Sequence, residues 1–461
     1  MSNSTYQTKP YELSTMPPGV PYIVGNEAAE RFSFYGMKAI LAVFLTQHLL
    51  DNQGQADGLT EDDATIWVHT FNFWTYLLPA AGALLSDWLW GKYRTILSLS
   101  VIYCLGHAAL AINETREGMT IGLALIAIGA GGIKPCVSAH VGDQFGKLNR
   151  HLLPKVFAWF YFSINIGAAT SMMLTPYILH ETAAEYGGAL AFGIPGILMA
   201  IATFLFWVGR NKFVHIPAKG GDFWKETFNE SSLRSIGALI PVYFIVSFFW
   251  SLFDQTNTSW VFQAQDMDSV FFPDTSFEFT VLPAQMQSAN PILIMVLIPL
   301  FSFLIYPAIN KYFTLTPLRK LSIGFFVATA SFTIVSVLQG VLDAGISTHI
   351  AWQILAYLLI TAAEVMISIT CLEFAYTQAP PSAKSLVMSM YLATVAIGNL
   401  FTVMVNKFIQ NEDGSNKLEG ADYFWFFTAV MGVASILFLF VAKSYRGQTY
   451  GAIADGDDNV A

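Results

Sequence analysis

Residues Asn26–Leu41 read NEAAERFSFYGMKAIL. The stretch lies in a largely apolar run long enough to cross a bilayer, yet it carries Glu27, Glu30, Arg31 and Lys38. A charge at bilayer depth costs at least about 2.5 kcal/mol, and such residues therefore face a bundle interior or a water-filled cavity. Positions 27, 30, 31, 34, 35 and 38 follow helical spacing and share one broad face. At ~1.5 Å per residue, Glu27 and Lys38 stand roughly 16 Å apart along the axis, so snorkelling at a single interface cannot explain the stripe. An internal salt bridge that pins helices together is the simpler alternative. Charged residues in other spans favour a polar pathway instead.

The chain has 461 residues, 54% hydrophobic and 12% charged, with a mean hydropathy of +0.51. These values belong to an all-α polytopic membrane protein rather than a soluble domain. The first twenty residues are polar and show no apolar h-region, so no cleavable signal peptide is expected. Cys104, Cys136 and Cys371 all fall in apolar segments and read as buried thiols rather than disulfide partners or metal ligands. The net charge is -9, with most acids in loops. No metal, cofactor or nucleic-acid partner is expected; the lipid bilayer is.

Apolar runs of helical length give twelve spans, starting near Tyr22, Asp63, Tyr93, Met119, Pro154, Gly187, Leu233, Ala289, Thr316, Thr348, Ala383 and Ala421. Polar stretches follow the sixth span, 210–234, and the seventh, 262–288. The expected organisation is therefore an N-terminal segment 1–21, a six-helix bundle 22–210, a linker 211–232, a second six-helix bundle 233–446 and a tail 447–461. With the N-terminus cytoplasmic, only Arg116, Lys407 and Lys417 of the 23 Lys and Arg residues fall outside, with Arg31, Lys38 and Lys134 inside spans. That asymmetry places both termini on the cytoplasmic side. The external segment Asp51–Asp63 holds five acids and no Lys or Arg, and reads as a solvated acidic loop.

Partners for the first-span charges sit in other spans. Lys134 lies in GAGGIKPCVSAHVGDQF (Gly129–Phe145) and Glu364 in LLITAAEVMISITCLEF, both at a depth near mid-membrane. Lys38, His69 and Asp254 form a shallower outer group, and a histidine accompanied by an acid and a base is a proton-site candidate. Gly129, Gly131 and Gly132 lack the spacing of a phosphate-binding loop and read as a helix-packing surface. Asp87 with Lys92 and Arg94 reads as a structural and gating turn.

The motif EAAERFSFYG resembles the ExxERFxYYG signature of the proton-dependent oligopeptide transporter family, within the major facilitator superfamily. GALLSDWLWGKYRT, GGIKPCVSAHVGDQF, FYFSINIGA, DQTNTSWV and EFAYTQAPPSAKS are similar to further family motifs, in family order and across both halves. The resemblance implies two pseudo-symmetric six-helix bundles that give alternating access to a central site. It also implies a carrier, not an enzyme: a proton symporter of dipeptides and tripeptides, multi-pass in the plasma (inner) membrane and working as a monomer. By motif position, Glu27 and Glu30 would take part in proton coupling. Arg31 and Lys134 would hold the peptide carboxylate and Glu364 its amino terminus. Tyr35, Tyr76, Tyr161, Asn165, Asn290 and Tyr391 would line the pocket. His69 matches a histidine implicated in coupling near a seventh-span acid, here Asp254, and Lys38 occupies a position often filled by Arg, implying an outer gate of Lys38, Asp254 and His69.

Departures from the family pattern include Lys38, which lacks an Arg fork. Phe34 replaces the first Tyr of the signature, and Tyr391 stands where Trp is common, so side-chain preference cannot be copied from relatives. Glu27, Glu30 and Glu364 against Arg31 and Lys134 leave one net negative charge at standard charge states, which one proton neutralises. A carrier of the same fold for nitrate or a peptide-like metabolite is the alternative, and the intact ExxER argues against nitrate. An intramembrane enzyme or sensor is a third class; neither HExxH nor GxSxG occurs here.

Overall fold

This computed structural model describes residues 6–218, 220, 230–378, 384–411 and 415–445. The expected start at Ala383, the tail 447–461, part of the linker 211–232 and residues 1–5 lie outside those residues. Contacts cluster into two compact units, Met1–Phe223 and Trp224–Ala461.

The first unit holds α1 (Val20–Gln47), α2 (Glu61–Leu84), α3 (Lys92–Ile112), α4 (Arg116–Gly142), α5 (Leu153–Tyr186) and α6 (Ala189–Val208). Thr60 and Thr115 cap α2 and α4, each hydroxyl accepting from the backbone N–H three residues on, which satisfies one of the orphan donors at each start. Three acids in the first turn of α2 complement its dipole. Asp57 binds Arg116 through two nitrogens, Nε to Oδ2 at 2.6 Å and Nη2 to Oδ1 at 2.7 Å. The acidic segment thus also clamps the start of α4.

The main packing partners are α3 with α4 and α6, α1 with α5 and α6, and α2 with α4. The glycine run of α4 makes its packing against both α2 and α3 possible. A Cβ on Gly82 would collide with the backbone of Gly132, and one on Gly129 would stand 2.6 Å from the Tyr103 Cβ. Backbones approach this closely only where side chains are absent. A π-helical turn, Leu85–Trp90, ends α2. The Lys92 ammonium then reaches Asp143 at 2.7 Å, past the end of α4.

The second unit contains α7 (Glu230–Phe253), α8 (Ser259–Gln265), α9 (Ala289–Leu300), α10 (Tyr306–Asn310), α11 (Pro317–Asp343), α12 (Ala351–Gln378), α13 (Lys384–Ile409) and α14 (Ala421–Ser444). A 3-10 turn, Asp254–Asn257, separates α7 from α8. Between α8 and α9 runs a two-stranded antiparallel hairpin, β1 (Val270–Phe271) with β2 (Phe279–Thr280). Its stacked Phe271 and Phe279 rings lie 5.1 Å apart. The chief packing pairs are α11 with α12 and α14, α7 with α13 and α14, and α9 with α12.

Among the described residues, ten helices are long and apolar enough to cross a membrane. The protein is an all-α, multi-pass integral membrane protein. At 28 and 24 residues, α1 and α2 also have the length, but polar groups interrupt them: the four charges of α1, and Thr65, His69, Asn72 and Thr75 of α2. All eight of these side chains are buried.

Candidate functional site

Helix α1 carries its charges inward. Glu30 is 0% exposed, Glu27 and Lys38 3% and Arg31 8%. One turn of helix separates Glu27 from Arg31, so the carboxylate at position 27 reaches the guanidinium directly: Arg31 Nε donates to Glu27 Oε1 at 2.7 Å. The same nitrogen lies 2.9 Å from Glu30 Oε2. Two carboxylates therefore converge on one guanidinium inside a helix bundle, where leaving the cation with neither would be costly.

Lys134 on α4 belongs to the same unit. Its ammonium stands 4.2 Å from the Phe34 ring centroid and 4.0 Å from that of Tyr76, an arrangement in which two ring faces attract a cation. Phe34, the residue that departs from the signature, thus keeps the aromatic face while losing the hydroxyl. Tyr35 meets the Phe34 ring edge-on at 5.5 Å. On α5, Asn165 is buried and donates to the Tyr161 carbonyl at 2.9 Å, whereas Tyr161 itself is 40% exposed. His69 and Lys38, on α2 and α1, are both buried.

The second unit assembles another polar group. Asn290, at the start of α9, donates from Nδ2 to Glu364 Oε2 at 2.7 Å and to Thr361 Oγ1 at 3.1 Å. Thr361, Glu364 and Ser368 share one face of α12. Ser368 Oγ lies 2.8 Å from the Tyr391 hydroxyl, whose ring sits 6.4 Å from Tyr243 and 6.5 Å from Trp250. Asp254 is buried at the helix break, where Asn399 Nδ2 donates to its Oδ2 at 2.7 Å. Discontinuous helices are a recurrent feature of transporter binding sites.

Thr361, Ser368 and Asn399 join these groups without being singled out by the sequence. A signal existed for the first two, at three residues before and four after Glu364. For Asn399 it was only that of an amide inside a span.

A sequence model of the POT family matches residues 93–233 and 221–426. The chain belongs to the POT family. With it comes membership of the major facilitator superfamily, whose fold the helices follow. Peptide transporter family 1 of Drosophila melanogaster is 35% identical over 360 residues, 68% of this chain and 47% of that protein. Human Solute carrier family 15 member 1 is 32% identical over 395 residues, 73% of this chain and 54% of the relative. The chain spans about half the length of these curated relatives. Two solved structures, an auto-inhibited POT family peptide transporter and the POT family transporter PepTSo, each match at TM-score 0.82 and 34% identity. They cover 94% of this chain, and it covers 98% and 99% of theirs. A POT family transporter in complex with 5-aminolevulinic acid has TM-score 0.79 over 95% of this chain at 20% identity, a likeness of fold.

Proposed function

We propose that this POT family member is a proton-coupled symporter that imports dipeptides and tripeptides by alternating access. In this reading twelve transmembrane helices form two six-helix bundles, 22–210 and 233–446, joined by the linker 211–232, in the plasma membrane. Both termini, 1–21 and 447–461, lie on the cytoplasmic side, and the monomer is the working unit.

The observation that carries the reading is the buried triad in which Glu27 and Glu30 both engage the Arg31 guanidinium. Both carboxylates meet the guanidinium at Nε and together offset its charge. Protonating one of them weakens its hold and makes the cation available to a substrate carboxylate, with Lys134 as the second cation. Such a switch biases the protein only if substrate and proton interact differently with its states, and competition for Arg31 supplies that difference. Glu364, oriented by Asn290, receives the peptide amino group. Tyr35, Tyr76, Tyr161, Asn165 and Tyr391 form the walls. His69 and Asp254 take up the external proton, and Lys38 with Asp254 forms the outer gate. The proton is the only coupling species required.

Holding both termini selects peptide length through backbone geometry, while apolar walls tolerate varied side chains. In competition against labelled dialanine, unlabelled dialanine and trialanine will inhibit uptake at similar concentrations. Alanine and tetraalanine, each failing to engage both ends, will need at least about tenfold more. Equal inhibition by tetraalanine would contradict two-ended binding. Inhibition by 5-aminolevulinic acid, which one relative of the fold binds, without inhibition by any peptide would favour a small zwitterionic metabolite as substrate.

A further inference from the structure

A trough of about 650 Å³ runs between α7 and α14, and all its lining residues are apolar. Pro241, Phe244, Ile245 and Phe248 supply one wall at helical spacing. The α14 wall extends from Phe426 to Val441, roughly 22 Å at ~1.5 Å per residue. That exceeds the depth of one leaflet's hydrocarbon, about half of ~30 Å. Phe244 and Val433 are each 58% exposed and Phe440 67%, so the trough is open along one side.

The two helices run antiparallel. Thr402 of α13 donates to the Ser251 carbonyl near the end of α7, and Asn406, one turn further, donates to the Tyr423 hydroxyl at the start of α14. Pro241 and Val441 therefore mark one end of the trough, and Phe248 and Phe426 the other. Beyond the first end stand two exposed cations. Arg234 is seven residues before Pro241, two turns away on the same face, and Lys443 is three residues after Phe440. Beyond the opposite end, one turn before Phe426, α14 carries the exposed Asp422.

We propose that this trough is a binding site for an anionic phospholipid. One acyl chain lies along α14, and the phosphate sits at the Arg234/Lys443 end. An apolar slot inside a membrane gains nothing from excluding water, so what selects an occupant is packing and charge. Two cations at the first mouth favour a phosphate there, whereas the other end mixes signs, Asp422 standing there with the exposed Lys407 that follows Asn406. Glu230 shares Arg234, at 3.1 Å, and the phosphate competes with it in an exposed pair of little intrinsic strength. A helix from a second copy is disfavoured because close helix approach needs small residues, whereas Phe244, Phe248, Phe426 and Phe440 flank the opening.

The test is native mass spectrometry of the purified full chain, presented with equal amounts of phosphatidylglycerol and phosphatidylcholine. Wild type is expected to retain phosphatidylglycerol in at least about fivefold excess per engaged cation. Arg234→Gln combined with Lys443→Gln should bring the two lipids to parity. Ala429→Phe, which fills the trough from its open side, should remove both; Val433→Phe replaces it should Ala429→Phe not elute as a single folded species. No excess in wild type, an excess that survives the charge changes, lipid retention unaltered by both filling variants, or a concentration-dependent dimer that covers the trough would each overturn the proposal.

Discussion

Proteoliposomes containing Glu30→Gln will fail to concentrate dialanine against its gradient, although they will still exchange labelled for unlabelled dialanine. An inward gradient of one pH unit supports about tenfold accumulation for one proton per peptide, since each unit is worth 1.36 kcal/mol. The variant should show none of it. The amide of glutamine cannot gain or lose the coupling proton, but it keeps the shape of the side chain. Arg31 also keeps Glu27 at 2.7 Å, so the buried cation is not left unpaired and the bundle should stay folded. Elution as a single species together with retained exchange separates a coupling defect from a folding defect. Undiminished accumulation by the variant would remove Glu30 from the coupling step.

The second large effect is expected at Glu364→Gln. Here the hydrogen bond from Asn290 at 2.7 Å survives in altered form, while the charge that attracts a peptide ammonium is lost. A hydrogen bond to a charged group contributes about 1.5–3 kcal/mol, so the concentration of dialanine needed for half-maximal exchange should rise roughly 10- to 100-fold. The maximal rate should fall less. Asn290→Ala should move the same quantity in the same direction by a smaller factor, because the carboxylate remains but loses the donor that orients it. Unchanged half-saturation in Glu364→Gln would place the amino-terminal contact elsewhere.

Much of this arrangement is legible along the chain, and α1 shows why. Charges at 27, 30, 31 and 38 cannot face lipid, and helical spacing puts them on one side, where they are indeed buried. Hydropathy is equally direct for the spans: starts expected near Pro154, Ala289 and Ala421 appear at Leu153, Ala289 and Ala421. The glycines of α4 read as a packing surface and serve as one against Gly82 and Tyr103.

Contacts that depend on which helix faces which are hidden from such a reading. Nothing in the spacing pairs Asn399 with Asp254, 145 positions away, or sets the Lys134 ammonium over Phe34 and Tyr76. The hairpin of Phe271 and Phe279 is similarly obscure, because two-residue strands in a polar stretch leave no alternating pattern to detect. The acidic segment before α2 reads as solvated, and Asp57 departs from that reading only because folding brings Arg116 beside it.

The most direct test of the central claim is uptake of labelled dialanine by wild-type proteoliposomes, with the external pH one unit below the internal. The account predicts that internal dialanine rises severalfold above the medium, toward the limit of about tenfold for one proton, and falls to the external level when a protonophore collapses the gradient. Entry that only equilibrates, with or without the gradient, would contradict proton coupling. No entry into vesicles with correctly inserted protein would contradict peptide transport itself.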